Sequence, residues 1–215
     1  MSGSAAPDYG RLIVLEGIDG CGKSTQAGLL ASWTGALLTA EPGATSVGAD
    51  LRSLLLDPGR DPLSLRTEAL LMAADRAEHV DQLLRPTLEA GRWIICDRFN
   101  ASTLAYQGFG RGLSLDELRS IVAFASAGIE PDLQILLDLP VATARQRMKA
   151  SSLDRLEHLG DEFFSRVRDG YLSLAHADPD HWAIIDATAD LGAVEEFVRK
   201  EVASRLGPVP SEILK

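Results

Sequence analysis

Gly17-Ile18-Asp19-Gly20-Cys21-Gly22-Lys23-Ser24-Thr25 follows the apolar run Leu12-Ile13-Val14-Leu15 and precedes Leu29, Leu30 and Trp33 at helical spacing. The letters fit G-x-x-x-x-G-K-[ST], and the setting is a loop that turns a buried strand into a helix. In that geometry glycines let backbone N–H groups converge on a polyphosphate at a helix N-terminus, where the dipole favours negative charge. Lys23 then reaches the outer phosphates, and the Ser24 hydroxyl holds a magnesium ion. Four fixed positions match by accident in a chain this long with odds on the order of 1%. An ordinary glycine-rich turn is therefore a poor account. Gly17 to Thr25 is expected to hold the phosphates of a nucleotide.

Outward from this loop, apolar segments at 12–16, 36–39, 93–97, 133–138 and 182–186 read as strands. Helical character fills 24–33, 63–90, 115–127, 141–149, 161–175 and 191–206. Alternating strand and helix signals imply a parallel sheet covered on both faces. The expected architecture is α/β: one three-layer domain over 11–206, with tails at 1–10 and 207–215. Ligands of such sheets bind beyond the carboxyl ends of the strands. Strand one runs into the phosphate loop, strand two into Glu41-Pro42-Gly43, strand three into Asp97-Arg98 and strand four into Asp138-Leu139-Pro140. Asp97, ending a buried strand, has the form of the second magnesium-linked carboxylate of phosphate-loop enzymes. Arg98 after it suits bidentate grip of a phosphate.

The chain of 215 residues carries a formal net charge of −10 with 46% hydrophobic content. That balance argues against nucleic acid as a partner, which requires a large basic face. An anionic small substrate fits only where arginines gather locally. No apolar run is long enough to span a membrane, and the N-terminus lacks the pattern of a signal peptide. Cys21 and Cys96 match no metal or redox spacing, so a reduced cytoplasmic setting is the default. Cys21, at a helix start, reads as a small residue at a variable loop position. His79, His158, His176 and His181 form no metal or triad spacing and receive no role.

The stretch from Asp97-Arg98 through Ser102 to Ala105-Tyr106-Gln107-Gly108 and Gly110-Arg111 resembles the signature of the thymidylate kinase family. Glu41-Pro42-Gly43-Ala44-Thr45, Ala74-Asp75-Arg76, Pro131-Asp132-Leu133 and Asp154-Arg155-Leu156-Glu157 are similar to further family segments in the same order. The resemblance implies a three-layer P-loop kinase fold with a five-stranded parallel sheet and a mobile lid at about 145–157. It implies transfer of a phosphoryl group from ATP to thymidine 5′-monophosphate, with Mg²⁺ as cofactor, by a homodimer packed through long helices. Arg76 would donate to the thymine edge and Arg98 would hold the monophosphate. Asp19 and Glu41 would lie near the sugar hydroxyl and the metal. Tyr106 would pack under the deoxyribose, excluding a 2′-hydroxyl, with Ser102 and Gln107 nearby.

The chain also departs from the family pattern. Met72 stands where many members have an aromatic residue against the thymine, Ala40 where an arginine often precedes Glu-Pro-Gly, and Ala44 where a glycine is usual. Gly20 occupies the position where some members carry a phosphate-loop arginine, so the charge facing the transferred group must come from elsewhere. Arg145, Arg147, Lys149 and Arg155 are the candidates, with Arg147 assigned to the catalytic set beside Lys23, Asp19 and Arg98. A nucleotide-dependent switch is a weaker reading, because the guanine-reading Asn-Lys-x-Asp is absent from the sequence.

Overall fold

The computed structural model describes residues 9–148 and 159–207. Five parallel strands form one sheet: β1 (Leu12–Glu16), β2 (Leu37–Ala40), β3 (Ile94–Asp97), β4 (Leu133–Asp138) and β5 (Trp182–Asp186), in the order β2-β3-β1-β4-β5. Every residue of β1 and β3 is buried, as expected of central strands covered on both faces. Alternate side chains divide the core. Leu12, Val14, Ile94 and Cys96 join Val80, Leu84, Leu88 and Phe99 on one face. Ile13, Leu15, Ile95 and Ile135 join Phe163, Tyr171, Trp182 and Val198 on the other.

The register sets the active edge. Leu15 of β1 and Ala40 of β2 both pair with Asp97 of β3, so these strands end together. From β1 the chain crosses to β2 and β3 on one side, then to β4 and β5 on the other. The crevice at that switch lies outside the carboxyl ends of β1 and β3.

Helices α1 (Lys23–Thr34), α6 (Leu115–Ser126), α8 (Asp161–Ala177) and α9 (Leu191–Leu206) occupy segments read as helical. The segment read as one helix over 63–90 has more structure. α3 (Leu65–His79) is capped by Ser64, whose hydroxyl accepts from the Thr67 amide. It passes through a wide π turn at Val80–Leu84 into α4 (Arg85–Glu89). Pro86 accounts for that turn, because it lacks an N–H and crowds the preceding carbonyls. α7 is described as Val141–Arg147; Lys149, expected to close it, lies outside the described residues.

Two helical segments were not anticipated. α2 (Ser46–Leu56) buries only Gly48 and Leu55, so its sequence carries little apolar periodicity. The signature stretch forms a short α5 (Asn100–Thr103) continued by a π turn at Leu104–Gly110. There Ala105 to Gly108 are all buried, which erases an amphipathic pattern. Gly10, assigned to the N-terminal tail, is buried and donates from its amide to the Leu88 carbonyl at 2.8 Å. The domain therefore starts before residue 11. Residues 1–8 and 208–215 lie outside the described residues.

Candidate active site

α1 begins at Lys23 after Gly22, which sits at φ 97° and supplies no side-chain cap. The first amides of the helix are thus left for a ligand, in the field of the helix dipole. Lys23 is folded back over its own loop, donating to the Ile18 carbonyl at 3.0 Å and lying 3.9 Å from Asp19 Oδ1. Gly20 has φ 82°, and a Cβ there would come within 2.6 Å of the Ala144 carbonyl on α7. A phosphate-loop arginine at this position is therefore incompatible with the way α7 packs. Cys21 is buried, and burial raises its thiol pKa, so the helix start does not activate it.

Ser24 Oγ donates to Asp97 Oδ2 at 2.5 Å, joining the loop to the end of β3. The other oxygen, Asp97 Oδ1, is buried without a hydrogen-bond partner among the described residues. A hydroxyl and a half-satisfied carboxylate are the donor set a magnesium ion takes from protein when phosphates and water supply its other ligands. Arg98, next in sequence, has φ 73°, a left-handed conformation that costs a non-glycine residue about 1–2 kcal/mol. The Arg98 amide donates to the Leu15 carbonyl at 3.0 Å, which holds that turn.

From this turn the Arg98 guanidinium reaches a buried polar network. Nη2 donates to Asp19 Oδ1 and to Tyr106 OH; Nη1 donates to the Gly17 carbonyl, Ser102 Oγ and Tyr171 OH. The guanidinium also lies 4.9 Å from the centroid of the Tyr106 ring. Tyr106 OH donates to Asp19 Oδ2 at 2.8 Å. Burial opposes ionisation of Asp19, but Arg98 and Lys23 outweigh it and hold the carboxyl below its ordinary range. Behind this layer, Glu16 is fully buried and accepts from Ser102 Oγ, Tyr171 OH and the Phe99 amide. Burial pushes the Glu16 carboxyl up in pKa despite those donors. Sequence reasoning missed Glu16 and Tyr171. Glu16 ends the first strand, the position that drew attention to Asp97; Tyr171 lay within an apolar helix stripe.

The opposite wall is built on Arg76. It is 2% exposed, and donates from Nε to Glu41 Oε2 at 2.9 Å, from Nη1 to Thr103 Oγ1 at 3.0 Å and from Nη2 to the Phe99 carbonyl at 3.0 Å. Both Glu41 oxygens are occupied, because Oε1 pairs with His79 Nδ1 at 2.9 Å. The ring's Nε2 meets Thr39 Oγ1 at 2.8 Å. His79, given no role from the sequence, is thus fully buried in the support of the site. Its signal was its spacing: three residues after Arg76, it shares a helix face with it.

Asp75 Oδ1 accepts from the Gly43 amide at 2.9 Å, while Oδ2 is buried without a hydrogen-bond partner among the described residues. Burial, then the neighbouring Glu41 charge, raise the Asp75 pKa from 3.8 to about 6, against the nearby His79 and Arg76. A folded value above the unfolded one favours folding below about pH 4, and that contribution is lost as pH rises through 6. Asp75→Asn is accordingly expected to raise the melting temperature at pH 8 and to change it little at pH 4.5. Equal shifts at both pH values in thermal melts would exclude this account.

One cavity of about 450 Å³ joins these parts. Its lining includes Asp19, Lys23, Ser24, Thr25 and Asp97 together with Glu41, Met72, Asp75, Arg76, Tyr106 and Gln107. Ala40, Arg98, Ser102 and Arg147 line it as well. Arg52 of α2 also lines it, a cation missed because its helix was missed; Nη1 donates to the Pro42 carbonyl at 2.7 Å. Lys23, Arg52, Arg76, Arg98 and Arg147 therefore meet in one cleft of an acidic protein, where they outnumber the lining carboxylates Asp19, Glu41, Asp75 and Asp97. Of the lid candidates, Arg145 is tied to α8 through Asp161 and the Phe164 ring, whereas Arg147 faces the cavity. Lys149, Asp154, Arg155, Leu156 and Glu157 lie outside the described residues, and so does most of the expected lid.

Sheet, glycine loop and cation-lined cleft together define a phosphate-loop nucleotide-binding protein of the α/β class. A family model for thymidylate kinase matches residues 15–198. A thymidylate kinase of Desulforudis audaxviator is 45% identical over 208 residues, 94% of each chain. One of Cutibacterium acnes is 41% identical over 202 residues, 92% of this chain and 98% of that one. The crystal structure of thymidylate kinase from Ehrlichia chaffeensis superposes with a TM-score of 0.74 at 30% identity, covering 90% of this chain and 99% of the other. The chain belongs to the thymidylate kinase family.

Proposed function

We propose that the cleft holds ATP on the phosphate loop and thymidine 5′-monophosphate against the opposite wall, with the two phosphate ends facing each other. The protein transfers the γ-phosphoryl group of ATP to dTMP, giving dTDP and ADP for dTTP synthesis. The observation that carries this reading is the continuity of one cavity from Lys23 and Ser24 to Arg76, Tyr106 and Gln107. Residues Gly17, Ile18, Asp19, Gly20, Cys21, Gly22, Lys23, Ser24 and Thr25 wrap the ATP phosphates. Ser24 and Asp97 would hold Mg²⁺, which would supply charge neutralisation at the donor phosphates.

The acceptor is already an anionic phosphate oxygen and needs little help from a general base. Catalysis then comes from in-line positioning and from Lys23, Arg98 and Arg147 around the charge that spreads over the equatorial oxygens. Arg98 and Arg52 hold the monophosphate; Asp19 keeps Arg98 oriented. Two of the five Arg76 donors are left after its three protein bonds, and they meet the base edge together with Gln107. Met72 covers the base face through its thioether. Tyr106 occupies the space below the sugar, so a 2′-hydroxyl is excluded by bulk.

Two free, buried cysteines fit a reduced, cytoplasmic setting. No helix among the described residues is long and apolar enough to cross a membrane. The apolar groove between α3 and α6, lined by Ala69, Leu70, Leu113, Leu118 and Ile121, is covered by a second copy of the chain in a homodimer. Sedimentation at the mass of a single chain would remove that assignment.

The functional reading is tested by ADP release with ATP and a panel of monophosphates: dTMP, dUMP, dCMP, dGMP, dAMP and UMP. Acceleration at least tenfold greater with dTMP than with UMP or the purines is expected. Equal acceleration by all acceptors would overturn the substrate assignment.

A further inference from the structure

Beside the cleft, outside the groups assigned to either substrate, lies a buried ion pair. Glu68 on α3 is 1% exposed. Its Oε2 accepts from Arg111 Nη2 at 3.0 Å, and its Oε1 accepts from Arg111 Nε at 3.3 Å. The same Oε1 accepts from Gln107 Nε2 at 3.1 Å. Gln107 is itself 2% exposed and lines the cavity.

The two ends of a primary amide are almost identical in shape and opposite in hydrogen-bonding character. Packing alone does not choose between them. A carboxylate paired with an arginine only accepts, so it tolerates the NH₂ end of Gln107 and repels the carbonyl end. The Gln107 Oε1 accepts from no described residue, and it is the atom left for a ligand in the cavity.

We propose that Glu68, held by Arg111, is a positioning residue for base discrimination. It fixes the Gln107 amide so that an acceptor faces the nucleobase, which selects a ring N–H such as thymine N3–H over a ring lone pair such as cytosine N3. The inference rests on the placement of the base beside Gln107 and Arg76 given above. Arg111 and Glu68 touch neither substrate; they act through one side chain. A buried acceptor left facing a lone pair is strongly penalised, which is how a site of this kind rejects the wrong base.

The test compares kcat/KM for dTMP and for 5-methyl-dCMP, which differ only at the 4-substituent and the N3 hydrogen. Glu68→Gln keeps the shape but meets Gln107 with either end of its own amide, so the orientation is no longer dictated. The dTMP preference is expected to fall at least about tenfold, through KM for dTMP, with KM for ATP unchanged. An unchanged ratio overturns the proposal. The Glu68→Gln/Arg111→Gln double variant, which removes the unpaired arginine, is expected to show the same loss. A return to the wild-type ratio there would overturn the proposal too. A wild-type dTMP complex in which Gln107 Nε2 has left Glu68 for the base would do so without any variant. Gln107→Ala separates the two levels of the claim. If it leaves the ratio intact, the placement of the base fails; if it alone lowers the ratio, only the role of Glu68 fails.

Discussion

Lys23→Ala is expected to lower kcat by about 10²- to 10³-fold while leaving the melting temperature close to that of the unchanged protein. The two halves of this expectation have separate physical sources. A preorganised cation aimed at developing phosphate charge supplies stabilisation that solvent replaces poorly. Loss of one such group costs about 3–4 kcal/mol of the barrier. Folding depends on Lys23 much less, because its ammonium bonds one carbonyl of its own loop and stands 3.9 Å from Asp19. Asp19 keeps Arg98 and Tyr106 as partners in the variant. Steady-state ADP release and a thermal melt on the same preparation check the outcome. Near-normal turnover would refute the assignment of the loop; a collapsed melting temperature would show that Lys23 is structural.

Arg76→Ala has the second large effect, and tertiary structure changes its character. As a base-reading residue alone, Arg76 would affect selectivity among monophosphates and leave stability untouched. Its guanidinium also joins Glu41 on the β2 loop, Thr103 on α5 and the Phe99 carbonyl beside β3. Removing it leaves Glu41, 5% exposed, with His79 as its remaining side-chain partner among the described residues. Breaking a buried pair from one side costs about 3–5 kcal/mol, because the remaining charge is stranded. Urea denaturation is expected to show a loss of that order, and the monophosphate panel a loss of dTMP preference. Arg76→Leu combined with Glu41→Leu is expected to recover part of the stability and none of the selectivity. Selectivity lost at full stability would show that the Glu41 pair contributes nothing to folding.

The five strands were legible because each is a short apolar run bounded by turn residues, and the central ones are buried on both faces. The phosphate loop was legible for a different reason: its chemistry is done by backbone amides, and those need glycine at fixed spacing. Asp97 was read correctly as the end of a strand beside the loop. Local sequence was silent on α2, whose two buried residues leave no periodic stripe, and Arg52 was lost with it. His79, Glu16 and Tyr171 look unremarkable in sequence because each works through partners more than 30 residues away.

The class of the protein was readable before folding was considered: a parallel α/β sheet, a loop for phosphates at the end of its first strand, and the family signature in order along the chain. Those depend on local periodicity and on residue types at short, fixed separations, which the chain carries without being folded. Which cations share the cleft, why glycine stands at position 20, and that Arg76 ties distant segments together as well as lining the cleft became visible in the folded chain alone. Such features depend on distances between segments far apart in the chain. Burial then gives each of those contacts its weight, by removing the water that would otherwise satisfy or screen the same groups.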